Sequence, residues 1–278
     1  MEQAIVFGKY ENLLGITNIV NTSPKNTHKT AMIMITSGML HNVGPFRLYV
    51  DIAKNLTKQG ISSLRFDLSG IGDSLGVGTA GKSIDRAASE ISEAIDYLEN
   101  QHGYKNFILF GLCSGADDGM QTALKDKRVK GVINLDGLGY KTTQFKARHL
   151  LLILRKLLHL PKWINKLRTL TLKRSKLPPA SLTAGEDIRE YPETPEAAGK
   201  EIQQLIDRNV QLHFIYTGGT YYYNYSQQFY DMLPDVKWNG CESTTYFPHI
   251  DHVVTLGEDR KQVVDNITDK TWQMIQAF

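Results

Sequence analysis

Several things are scarce in this sequence, and each scarcity excludes something. Only two cysteines occur in 278 residues, Cys113 and Cys241, far apart and without metal-like spacing. That excludes a disulfide framework and suits a reducing compartment. Net charge is nearly absent: the formal value of +3 is too mild to imply a nucleic-acid partner. No uninterrupted apolar stretch approaches the roughly twenty residues that cross a bilayer. The first six residues lack the basic start and long apolar run of a secretory signal. The expectation is a cytoplasmic protein. Hydrophobic residues at 41% and charged residues at 22% are ordinary globular values, and the length suits one large domain carrying an insertion.

Short β-branched runs alternate with longer helical segments, which predicts a mostly parallel sheet of about eight strands with helices on both faces. Residues 4–7 and 13–20 read as an opening hairpin. Further strands are expected at 31–36, 62–66, 107–110, 131–135, 212–216 and 244–247. Helices are expected at 46–58, at 84–100 with Ala88, Ile91, Ala94, Ile95 and Leu98 on one face, and at about 259–276.

One segment breaks this alternation. From Lys141 to Lys176 the chain is rich in leucine, lysine and arginine and carries no acidic residue. The resulting division is a core of residues 1–138 and 196–278, with a basic helical cap at 139–195 lying over the strand ends where ligands bind. Residues 150–158, with Arg148, Arg155 and Lys156, predict a basic amphipathic helix. It is either a lid with a solvated basic face or a surface for an anionic substrate and weak membrane association.

The richest signal is Phe107-Ile-Leu-Phe-Gly111-Leu-Cys113-Ser-Gly115-Ala. It has the form glycine-x-nucleophile-x-glycine between an apolar strand and a helix, a turn whose strained centre tolerates no bulk two positions to either side. Centring it on Ser114 would put Leu112 and Ala116 at those flanks, so Cys113 is the candidate nucleophile. A thiol at a helix N-terminus gains thiolate stabilisation from the helix dipole. The plain alternative is a small buried residue in a glycine-rich turn.

With Arg65-Phe-Asp67-Leu-Ser-Gly70-Ile-Gly72-Asp-Ser74, this elbow and Asp251-His252 after the last strand, the sequence resembles the α/β-hydrolases over nearly its full length. It looks closest to bacterial serine-aminopeptidase-like and exosortase-associated hydrolases. The resemblance implies a general base late in the chain, with His252 preferred over His249. It also implies an oxyanion hole made by the backbone N–H groups of Ser114 and Met39. The acid departs from the usual pattern. No carboxylate stands in Tyr216-Thr-Gly-Gly-Thr220-Tyr-Tyr-Tyr-Asn-Tyr225, so Asp136 at the end of the sixth strand is the candidate, or else a plain turn aspartate.

The implied reaction is cleavage of an ester, thioester or amide through an acyl-cysteine, without cofactor or metal. The substrate is a small or carrier-bound acyl compound, plausibly anionic. Acyl transfer to an amine or alcohol is the enzymatic alternative. A non-catalytic binding protein on the same fold is the other. A competing motif, Gly76-Val-Gly-Thr-Ala-Gly81-Lys82-Ser83, has the spacing of a phosphate-binding loop but is separated from the preceding strand by residues 67–75. Tyr221, Tyr222, Tyr223 and Tyr225 either line a pocket or pack beneath the cap.

Overall fold

The computed structural model describes residues 2–20, 29–38, 40–77, 82–158, 192 and 194–278, with backbone alone for 156–158. Eight strands form one sheet: β1 (Glu2–Phe7), β2 (Leu13–Asn18), β3 (Thr30–Ile35), β4 (Ser62–Phe66), β5 (Asn106–Leu112), β6 (Val129–Leu135), β7 (Gln211–Thr217) and β8 (Glu242–Phe247). Their spatial order is β1-β2-β4-β3-β5-β6-β7-β8. β2 runs antiparallel to both β1 and β4, and every other pairing is parallel.

The strand period of two builds two cores from one sheet. On β3, Ala31, Ile33 and Ile35 face one layer while Met32 and Met34 face the other; on β5, Phe107 and Leu109 oppose Ile108, Phe110 and Leu112. The first layer is closed by α2 (Ser83–His102), α3 (Ser114–Lys125) and α5 (Pro195–Asp207), the second by α1 (Leu48–Lys58) and α7 (Gly257–Gln276). Strands buried on both faces read as continuous apolar runs, which is why the central ones were legible.

Two more helices stand at the strand exits, α4 (Thr143–Leu158) after β6 and α6 (Gln228–Asp231) after β7. The helix expected at 150–158 begins earlier, at Thr143, and a helix that the sequence pattern does not predict stands at 195–207. Yet α5 starts with a Thr194 side chain accepting the Ala197 N–H and a proline in its first turn.

The phosphate-loop reading fails on connectivity. β4 ends at Phe66, and the chain then turns back to the opening hairpin, where Leu75 N–H donates to the Asn12 carbonyl at 2.9 Å. Lys82 serves as the residue capping α2, and residues 78–81 lie outside those described. A phosphate-binding loop needs its strand to run straight into its helix.

One buried polar group ties the last strand to α7. His213 is fully buried, its Nε2 donating to Asn266 Oδ1 at 2.9 Å and its Nδ1 accepting from Ser243 Oγ at 2.7 Å. Burial lowers its pKa from 6.5 to about 4. A group depressed in the folded state contributes stability above its unfolded value and loses it as pH falls through its folded one. Urea midpoints should therefore drop between pH 6.5 and 4, on the order of 3 kcal/mol from this residue. His213→Gln should flatten that slope, and an unchanged slope would place the acid sensitivity elsewhere.

Candidate active site

The elbow is built by close approach. Cys113 sits between β5 and α3 with φ 55° and ψ −122°, outside the regions that side chains favour. A Cβ on Gly111 would lie 2.1 Å from the Gly115 carbonyl oxygen, and one on Gly115 would lie 2.6 Å from the Thr36 carbonyl oxygen. Both flanking glycines are thus required by backbone packing, as the spacing argument holds. The Cys113 N–H donates to the Leu135 carbonyl at 2.8 Å, which locks the turn against β6.

The structure brings Cys113, His252 and Asp136 together. His252 Nδ1 lies 2.9 Å from Asp136 Oδ2, and its imidazole is also hydrogen-bonded to the Cys113 side chain. The Asp136 carboxylate is fully buried and accepts two further bonds, from the Thr217 N–H at 2.7 Å and the Thr217 hydroxyl at 2.6 Å. The aspartate takes a positive φ of 49°, a conformation its short polar side chain tolerates better than most. The Asp136 carboxylate raises the His252 pKa most, the Cys113 bond adds to it, and burial opposes both; the result is about 9. Both neighbours therefore favour the imidazolium form of His252.

His249 is turned away. It is more than half exposed, with Nε2 3.9 Å from Asp259 Oδ1. Ser114 opens α3, and its hydroxyl accepts the Gly38 N–H at 2.8 Å. Met39 lies outside the described residues, so its backbone N–H is not placed.

The loop that carries position 39 is fastened on both sides of it. On its far side Asp67, fully buried, accepts from the Asn42 N–H at 2.6 Å and from Asn42 Nδ2 at 2.7 Å. Arg65 Nη1 in turn donates to Asn42 Oδ1 at 2.7 Å. Gly72 is needed there because a Cβ would stand 2.4 Å from Asp67 Oδ2. His41 closes the rim with Nε2 2.9 Å from Asp73 Oδ2.

Three supporting residues escaped the sequence reading. Thr217 occupies the end of β7, where the usual carboxylate is missing, and that vacancy was the available signal. Tyr222 donates its hydroxyl to the Asp136 carbonyl at 2.7 Å. Tyr49, buried below the elbow, donates to the Ile35 carbonyl at 2.8 Å, and burial pushes its pKa far up. No sequence signal marks the last two. Tyr222, Tyr223 and Tyr225 are buried, with Tyr223 stacked on Tyr216 at 3.7 Å, whereas Tyr221 is exposed.

Sheet order, elbow and a histidine following the last strand define an α/β-hydrolase. Within that class the chain belongs to the serine aminopeptidase S33 family, whose sequence profile matches residues 27–206. A search of curated protein sequences returns no significant match. Among solved structures, an esterase of Pyrococcus furiosus is similar with a TM-score of 0.64 at 14% identity, covering 98% of this chain and 91% of that one. Proline iminopeptidase of Mycobacterium smegmatis is similar with a TM-score of 0.57 at 15% identity, covering 100% and 99%. Mouse alpha/beta hydrolase domain-containing protein 10 gives 0.56 at 14%, covering 99% of each chain. At such identities these likenesses concern the fold.

Proposed function

We propose that this α/β-hydrolase cleaves an ester, thioester or amide through an acyl-enzyme formed on Cys113. The observation that carries the reading is the chain of contacts from the strained elbow thiol to His252 and on to the buried Asp136. A charged pair suits a thiol better than a hydroxyl. An imidazolium favours the thiolate beside it, and the thiolate is the nucleophile.

Cys113 Sγ attacks the substrate carbonyl carbon. The oxyanion is held by backbone N–H groups, for which Ser114 and Met39 are the proposed donors. His252 gives its proton to the leaving oxygen, sulfur or nitrogen as that bond breaks. Neutral His252 then takes a proton from water, which attacks the thioester and releases the acid and the thiolate. Asp136 keeps Nδ1 of the ring protonated and aimed, leaving Nε2 for the chemistry.

Intact-mass measurement tests this. A panel of activated esters and acyl thioesters, mixed with excess protein and quenched early, should give an adduct of one acyl mass that disappears in Cys113→Ala. Adding amine or alcohol acceptors reads transfer against hydrolysis in the same sample. An adduct that persists in Cys113→Ala, or turnover unchanged by it, would overturn the assignment.

A further inference from the structure

The exposed large apolar side chains of this protein are gathered, not scattered. Among the described residues fourteen are exposed; five of them are consecutive in α4, which follows the exit of β6, and several others follow the C-terminal ends of parallel strands. The exits of β3, β4 and β8 contribute Phe46, Leu75 and Leu256 at 55%, 71% and 64% exposure, and the exit of β7 contributes Tyr221 at 76%. The opening hairpin joins the same edge because β2 is antiparallel, its Gly15 opposite Phe66 at the end of β4. Tyr10 in that turn is 63% exposed.

The densest part is α4. Residues 150–154 read Leu-Leu-Leu-Ile-Leu and are each between 42% and 59% exposed. Five consecutive residues span more than one turn of about 3.6, so over 150–154 the helix is apolar on every side, with basic residues before and after. A helix resting on a core beside water shows one apolar stripe only. α4 is tied to the body through its first turns, where Asn224 Nδ2 donates to the Phe145 carbonyl and Arg148 lies over the Tyr225 ring at 5.1 Å.

Charge supplies the second observation. The stretch 141–176 contains no Asp or Glu, and Lys146, Arg148 and Arg155 flank the exposed leucines. Two carboxylates of the rim are already engaged. Asp73 pairs with His41, and Asp251 accepts from the Val253 and Thr255 N–H groups of its own loop. At 1.5 Å per residue α4 is about 24 Å long, and no described helix is long and apolar enough to cross a membrane. Such a segment lies along an interface, with apolar side chains among acyl tails and basic ones at anionic headgroups.

We infer that this face docks on a bilayer containing anionic phospholipid, with α4 in the headgroup layer and the mouth above Cys113 turned toward the lipid. The inference rests on the surface alone and stands independently of which residue is the nucleophile.

Vesicle co-sedimentation of the full chain decides it, using phosphatidylcholine alone and phosphatidylcholine mixed with phosphatidylglycerol. Binding to the anionic vesicles should be at least about tenfold tighter and should weaken as salt rises. Leu151→Ser with Leu154→Ser, and separately Lys146→Glu with Arg155→Glu, should each cut it about tenfold or more. Thermal melting by circular dichroism should stay unchanged in both pairs. Absent binding, equal binding to both vesicle types, or binding indifferent to either pair would overturn the inference. So would a lipid-free dimer abolished by the leucine substitutions, because the face would then be an interface between copies of the chain.

Discussion

Replacing Cys113 by alanine should lower kcat/KM for any acyl substrate on the order of 10⁴-fold, leaving the residual rate that binding and oxyanion donors supply alone. The pH dependence is more telling than the size of the loss. In the proposed mechanism the reactive form is a thiolate beside an imidazolium, and Asp136 and Cys113 raise the His252 pKa to about 9. A group raised in this way keeps its proton below that value and loses it above. Wild-type acylation should therefore fall as pH rises through about 9, where His252 can no longer protonate the leaving group. Cys113→Ser should show the opposite limb. A hydroxyl does not ionise in this range, so His252 must be neutral to accept its proton, and activity should climb with pH. Asp136→Asn removes the largest cause of the raised value, so the wild-type alkaline limb should move toward lower pH with a rate loss of about 10²- to 10⁴-fold. A wild-type rate that rises steadily through pH 9 would rule out the charged pair.

Gly111→Ala should cost more than about 3 kcal/mol of stability. The added methyl would meet the Gly115 carbonyl oxygen at 2.1 Å and the Ala116 nitrogen at 2.4 Å, both backbone atoms of the first turn of α3. No rotamer relieves such a contact, so β5 and α3 must separate, and both carry core residues. Gly38→Ala is the control, because a Cβ there meets nothing within 4 Å despite its positive φ of 52°. Urea unfolding of the two variants should show a large shift in midpoint for the first and a modest one for the second. Similar midpoints would mean that the elbow relaxes freely, which would contradict the strain assigned to it.

What the sequence made legible follows from which forces act locally. β3 to β7 lie in the middle of the sheet, buried on both faces, and their apolar runs announced them to within a residue or two. The elbow was readable because its glycines answer a steric demand confined to a few positions. His252 stands out through its place after the last strand and Asp136 through the carboxylate missing beyond β7, and the fold sets the two side by side. Tyr222 and Tyr49 act across 86 and 14 positions of chain through contacts that leave no local pattern, whereas the missing carboxylate beyond β7 points toward Thr217. The helix at 195–207 carries a capping threonine, a proline in its first turn and the period of its buried Ala198, Ile202, Leu205 and Ile206, but it adjoins a segment that breaks the strand–helix alternation, which hides it in the pattern.

The exit of β6 carries both Asp136 and, a few residues later, the start of α4. That short connection is pinned along its length. Tyr222 holds the carbonyls of Asp136 and Gly137, Tyr216 holds that of Leu138, and Gln228 holds that of Tyr140. All three donors come from β7 and the segment after it. A lever clamped so close to its pivot transmits little, so displacement of the outer helix is spent before it reaches the carboxylate. Changes in the length or position of α4 can therefore leave the contact between Asp136 and His252 in tune.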